Sequence, residues 1–183
     1  MKKTFYALSI LAFGCANAQQ KVDVKVSYGA PSLYGVAESI TGDAINAFNI
    51  LIPGREVVEY NSGGVLAVEV MLHSKNDKWR YGLGYNNETV KDDRYNFKGN
   101  FNTILAQADY SWLNPDNKFK LYSGLGAGAV FASLNQNSSK DDDVIFAFNI
   151  TPIGISYGQK FGVFLETNVG TKGLVQGGVS YTF

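Results

Sequence analysis

The chain contains a single histidine, His73, and Ser74 follows it directly. A histidine beside a hydroxyl is the beginning of a nucleophile with its general base, but acyl transfer also needs donors aimed at the developing oxyanion. None is identifiable around Ser74-Lys75-Asn76-Asp77-Lys78, which reads as a polar turn. His73 is therefore expected to be a hydrogen-bonded residue at a rim. Metal ligation lacks a second histidine, and the one cysteine, Cys15, lies near the start of the chain. Asp141-Asp142-Asp143 offers oxygens for a weak calcium site, with a solvated loop tip as the expected reading. No cofactor is implied. What remains is a set of charges that can act only electrostatically: Asp23, Lys25, Glu69, Arg80, Asp109, Lys120 and Glu166.

These charges share a parity. A strand alternates its side chains between two faces, and the chain alternates almost throughout. Val22, Val24, Val26 and Tyr28 oppose Asp23, Lys25 and Ser27; Leu66, Val68, Val70 and Leu72 oppose Ala67, Glu69, Met71 and His73. A third strand puts Trp79, Tyr81, Leu83 and Tyr85 on the apolar face, and a fourth puts Ile104, Ala106, Ala108, Tyr110 and Trp112 there. The fifth contributes Phe119, Leu121, Leu125, Ala127, Ala129 and Phe131. The sixth runs Val144, Phe146, Phe148, Ile150, then slips phase at Thr151-Pro152 to Ile153, Ile155 and Tyr157, which predicts a bulge. Phe161, Val163, Leu165 and Val169 mark the seventh, and Val175 to Phe183 the eighth.

An even number of strands puts both termini on one side. The connections on that side are short: 74–78, 114–117 and 158–160. The long ones lie opposite: about 29–64, a polar loop from Glu88 to Asn100, and another from Leu134 to Asp143, though the last connection, at Thr171-Lys172-Gly173, is tight. Within the first, Val36, Ile40, Ile45 and Phe48 recur at roughly helical spacing before Pro53-Gly54 stops the run, so a short amphipathic helix is expected. Its stripe either packs on the rim of the fold or docks an external partner.

Alternation alone also fits a soluble sandwich or a ligand-binding barrel. The distribution of side chains separates them. On the apolar face, Trp79, Tyr81, Tyr110, Trp112, Phe119, Tyr157, Phe161, Tyr181 and Phe183 gather at the strand ends nearest the termini. Tyr28, Tyr85, Phe131 and Phe146 lie toward the other ends, with Val, Leu, Ile and Ala between. Two aromatic girdles around an aliphatic band are the pattern of a surface in lipid. A soluble ligand-binding barrel inverts it, apolar within and charged without. Lys or Arg at mid-depth on a lipid face costs about 2–4 kcal/mol, so the charges must point inward. Ser123 and Thr167 break the pattern outward, and Leu105 and Phe164 inward.

An eight-stranded barrel is just wide enough for side chains to fill. Acids and bases inside it should pair: Lys25 with Glu69, Arg80 and Lys120 flanking Asp109, and Glu166 reaching Lys25 across the eighth strand. The result is a polar plug or, alternatively, the lining of a narrow passive pore. Inward Gly82, Gly84, Gly124, Gly126 and Gly128 are expected to permit tight curvature.

The 183 residues make one domain, 45% hydrophobic with mean hydropathy −0.08, and past the N-terminus no run is long enough for a spanning helix. Lys2 and Lys3, the apolar Phe5–Phe13 and Ala16-Asn17-Ala18 form a secretory leader over residues 1–18, leaving 19–183 as the barrel. A lipoprotein signal at Gly14-Cys15 is the alternative, although Ala12 stands where a leucine is usual. No basic patch suits nucleic acid.

The terminal Gly177-Gly178-Val179-Ser180-Tyr181-Thr182-Phe183 resembles the last strand of bacterial outer-membrane β-barrels, which the insertion machinery reads. As a whole the chain resembles OmpA/OmpX-like small barrels. Leu121-Tyr122-Ser123-Gly124-Leu125-Gly126 and Thr151-Pro152-Ile153-Gly154 are similar to a Bacteroidetes outer-membrane barrel group. The resemblance implies an all-β, eight-stranded antiparallel up-and-down transmembrane barrel in the outer membrane, in contact with its lipid and lipopolysaccharide. A non-catalytic structural or surface role is the expected function. Lipid-modifying enzymes share the architecture, but they imply a His and Ser near the outer-leaflet end, and His73 lies at the opposite one. Unlike OmpA, the chain is expected to carry no periplasmic peptidoglycan-binding domain after the last strand, so the resemblance implies no wall anchoring.

Overall fold

The computed structural model describes residues 21–33, 61–92, 97–113, 117–136 and 139–183. The expected leader and the expected helix with its Val36, Ile40, Ile45, Phe48 stripe lie outside these residues. Eight strands close into a barrel in chain order, every neighbour antiparallel. They are β1 (Val22–Gly29), β2 (Asn61–His73), β3 (Trp79–Asp92), β4 (Phe97–Ser111), β5 (Phe119–Gln136), β6 (Ser139–Gly158), β7 (Phe161–Gly170) and β8 (Val175–Thr182). Closure comes from β1 against β8, with Val26 opposite Val179. The end holding the first and last described residues is called the lower end.

Alternation directs each side chain. Along β7, exposed and buried residues alternate without a break from Phe161 to Gly170. The walls are unequal: β1 and β8 have 8 residues each and β7 has 10, whereas β5 has 18 and β6 has 20. Crossing a bilayer takes about 9–11 residues, so β3–β6 project well past the short wall.

That projection corrects two expectations. The polar stretches 88–100 and 134–143 are largely strand: β3 and β4 stay paired to Asp92 opposite Phe97, and β5 and β6 to Gln136 opposite Ser139. Where the outer face leaves the apolar belt, outward Asn, Thr and Lys carry no apolar signal, yet the backbone ladder continues. Inward Val90 and Phe101 keep the parity.

The bulge lies on β6. Register shifts between Tyr122 and Gly124 against β5, and between Ile150 and Ile153 on the β7 side, leave Pro152 and Ile153 both outward. A bulge disrupts the ladder, and an orphan carbonyl on an apolar surface is costly. The two outward hydroxyls answer it. Ser123 Oγ donates to the Pro152 carbonyl at 2.6 Å and accepts from Trp112 Nε1 at 3.0 Å, while Thr167 Oγ1 donates to the Ile153 carbonyl at 3.1 Å. Ser123→Ala and Thr167→Ala should each lower the unfolding free energy by about 1–3 kcal/mol, read from urea titration of the refolded protein in lipid vesicles. Unchanged midpoints would mean these carbonyls find other partners.

Candidate functional site

The interior is built from inward positions on several strands. Lys25 stands directly opposite Glu69 in the β1–β2 register, and Arg80 directly opposite Asp109 between β3 and β4. At the centre, four side chains alternate in charge. Lys25 Nζ meets Glu69 at 3.0 Å and also Glu166, while Lys172 Nζ meets Glu166 at 2.6 Å and also Glu69. All four are at most 2% exposed. Each carboxylate thus touches two ammonium groups, and the quartet is neutral.

Below it, Arg80 bridges Asp23 at 3.2 Å and Asp109 at 2.9 Å. His73 Nε2 lies 2.8 Å from Asp23, and its Nδ1 lies 3.0 Å from Asp77, which Lys21 also binds. Partial burial works to raise the Asp77 carboxyl, but its bond to Lys21 and the nearby Lys21 and His73 charges outweigh that and hold it below the usual carboxylate range. Tyr122 joins the two clusters. Its hydroxyl donates to Glu166 at 2.7 Å, Arg80 lies 4.6 Å from its ring centroid, and Lys25 lies 5.4 Å from it and 4.4 Å from that of Phe164. Room for Tyr122 depends on Gly154, where a Cβ would come within 2.3 Å of the ring. Inward Gly84 and Gly124 similarly clear space for Gln107 and Asp109.

Lys172 reaches the quartet because the β7–β8 turn folds inward. Gly173 has φ +87°, and a Cβ there would lie 2.1 Å from the Ala30 carbonyl. Leu174 N donates to Pro31 O at 3.2 Å, Lys172 N to Asn149 Oδ1 at 3.2 Å, and Gln176 Nε2 to the Lys172 carbonyl. Ser32, buried beside this turn, donates through its backbone N at 3.1 Å and through its hydroxyl to Glu88. On the tall wall, Val90, Phe101, Leu105, Val130, Ala132 and Ala147 form an apolar cluster.

The structure brings together most of the charges singled out in the sequence, with Lys25 on both Glu69 and Glu166. Lys120 is the exception. Arg80 already faces Asp109, whose β5 neighbour is Gly124, and Lys120 lies four residues lower, lining a cavity at the lower end. Lys172 escaped sequence reasoning because a turn residue has no strand parity. Ser74 is not hydrogen-bonded to His73: its hydroxyl donates to Asn76 at 2.7 Å and accepts from Trp79 N at 3.1 Å.

Outside, Trp79, Tyr81, Trp112, Phe119, Tyr157, Phe161, Tyr181 and Phe183 are exposed, and Tyr110 is half-buried. Trp79 contacts Tyr81 and Tyr110, Tyr110 contacts Trp112, and Tyr181 contacts Phe183, at centroid distances of 4.8–6.0 Å. Above the aliphatic belt, outward Asn87 donates to Asn100 at 3.1 Å and Asn102 at 3.0 Å, and Tyr85 Oη donates to Asn102 at 2.6 Å.

Lys172→Met would leave two buried carboxylates sharing one ammonium. A loss of about 3–5 kcal/mol is expected, against about 1 kcal/mol or less for Lys120→Met, as read by denaturant unfolding. Equal losses would contradict the quartet.

No protein-family model and no curated protein matches the chain. Among solved structures, the N-terminal β-barrel domain of Pseudomonas aeruginosa OprF is similar with TM-score 0.55 and 13% identity, over 90% of this chain and 100% of that one. Neisserial surface protein A gives TM-score 0.51 and 13% identity over 90% and 95% of the respective chains. The narrower likeness to a Bacteroidetes group has no counterpart among these matches. The closed antiparallel topology and these likenesses agree that the chain has the fold of the small eight-stranded β-barrels of bacterial outer membranes.

Proposed function

We propose that this protein is an integral outer-membrane barrel without catalytic activity, closed by an ionic plug and serving a structural or surface-interaction role. The observation that carries this reading is the buried quartet of Lys25, Glu69, Lys172 and Glu166. A conducting pore needs its charges hydrated and facing an open path. Here each charge is spent on a neighbour, and Tyr122 and Phe164 pack against the same ammonium.

Membrane residence is supported by the outer surface. Between the girdles, Val26, Val68, Leu83, Leu125, Leu165 and Val179 are exposed, a belt that in water would be a large apolar patch. The fold shared with outer-membrane barrels supports that membrane as the location. On this reading the partners are outer-membrane lipid and lipopolysaccharide around the belt, and the insertion machinery at the last strand. The tall wall of β3–β6 offers the external surface. An unknown external partner at Val36, Ile40, Ile45 and Phe48 is part of the proposal and lies outside the described residues.

Single-channel recording of the refolded protein in a planar bilayer tests it. The expected result is no reproducible conductance step from protein shown by heat-modifiable gel migration to be folded. Regular steps would sink the plug and favour the narrow passive pore.

A further inference from the structure

The lower end of the barrel holds a cavity of about 310 Å³, at the small end of the range for ligand sites. Its lining is cationic, with Lys21, Arg80, Lys120 and Lys160 against a single acidic side chain among the described residues. Arg80, Lys120, Lys160 and Ser111 contribute to it, and its one acidic side chain among the described residues, Asp77, is already bridged by Lys21 and His73. Two of the cations, Lys120 and Lys160, form no ion pair with any described residue. Arg80 and Ser111 are each 5% exposed, so part of the lining is built into the interior and is not loose surface charge. The end nitrogens of Arg80 are held by Asp23 and Asp109, so its charge is shared with two carboxylates while those of Lys120 and Lys160 are not.

We infer that this cavity binds a phosphate-type oxyanion, with Lys120 and Lys160 supplying charge and Ser111 supplying a hydroxyl donor. Lys160 sits on the turn between Tyr157 and Phe161 of the lower girdle, so the cavity mouth opens at headgroup depth. The same chemistry is presented by free phosphate and by the phosphodiester of a lipid headgroup. The proposal rests on the membrane reading only for the compartment the cavity faces, and it does not require the lumen to be closed higher up.

The test is a titration of the refolded protein in zwitterionic detergent with sodium phosphate at constant ionic strength, sodium chloride as control, followed by amide chemical shifts. Saturable binding is expected, weakened at least tenfold in Lys120→Ala, restored in Lys120→Arg and unchanged in Lys75→Ala, a turn lysine off the cavity lining. Because Lys120 forms no ion pair, its variant should fold, and heat-modifiable migration verifies this. Dihexanoyl phosphatidylglycerol is the second probe. Tighter binding than phosphate assigns the site to a headgroup, and equal or weaker binding assigns it to the free anion. Shifts that fail to saturate with both probes, or that persist undiminished in Lys120→Ala, would overturn the inference.

Discussion

A barrel of eight strands must fill its own lumen, and this one fills the centre with charge. Removing an ammonium or a carboxylate from water costs several kcal/mol per ion, and attraction offsets that only with close geometry and saturated hydrogen bonding. The Lys25, Glu69, Lys172 and Glu166 quartet supplies the close geometry by alternation, with every cation between two anions and every anion between two cations. Asn149, Thr151 and Asn168, bonded to one another at 2.6–3.2 Å, continue the polar packing above it. Much else follows from accommodating these groups, including the glycine at 154 that makes way for Tyr122 and the inward fold of the β7–β8 turn that delivers Lys172.

The unequal walls are part of the same solution. Short β7, β8 and β1 bring the turn at 171–174 low enough for a lysine to reach the quartet. Tall β3–β6 carry the apolar cluster of Val90, Phe101 and Leu105 on the facing side. The interior is therefore layered: an anion-poor cavity at the lower end, ion pairs in the middle, and an apolar face toward the top of the tall wall.

Much of this was legible in the sequence. Period-two alternation located all the strands, and the slip from Ile150 to Ile153 marked the bulge beside Pro152. Ser123 and Thr167 stood out as polar residues on an apolar face, and their partners turn out to be the bulge carbonyls. The upper halves of β3–β6 were not legible, because beyond the apolar belt the outward face turns polar while the inward face mixes Glu88 and Thr103 with Val90 and Phe101, so the contrast between faces is lost and only pairing defines a strand. Lys172 was hidden for a different reason. A turn residue's direction is set by Gly173 and by contacts with Ala30 and Pro31, far away in sequence. The absent Lys120–Asp109 pair depended on register, which sets Arg80 beside Asp109 and Lys120 well below it.

The central claim is that Lys172 and Glu166 interact inside the barrel, and a double-mutant cycle measures that directly. Unfolding free energies of the parent, Lys172→Met, Glu166→Gln and the double variant, taken in the same lipid, give the coupling. Contacting charges in one network should couple by about 1–3 kcal/mol. Single effects that add to within about 0.5 kcal/mol, the behaviour of distant sites, would show that Lys172 does not enter the lumen and would contradict the account.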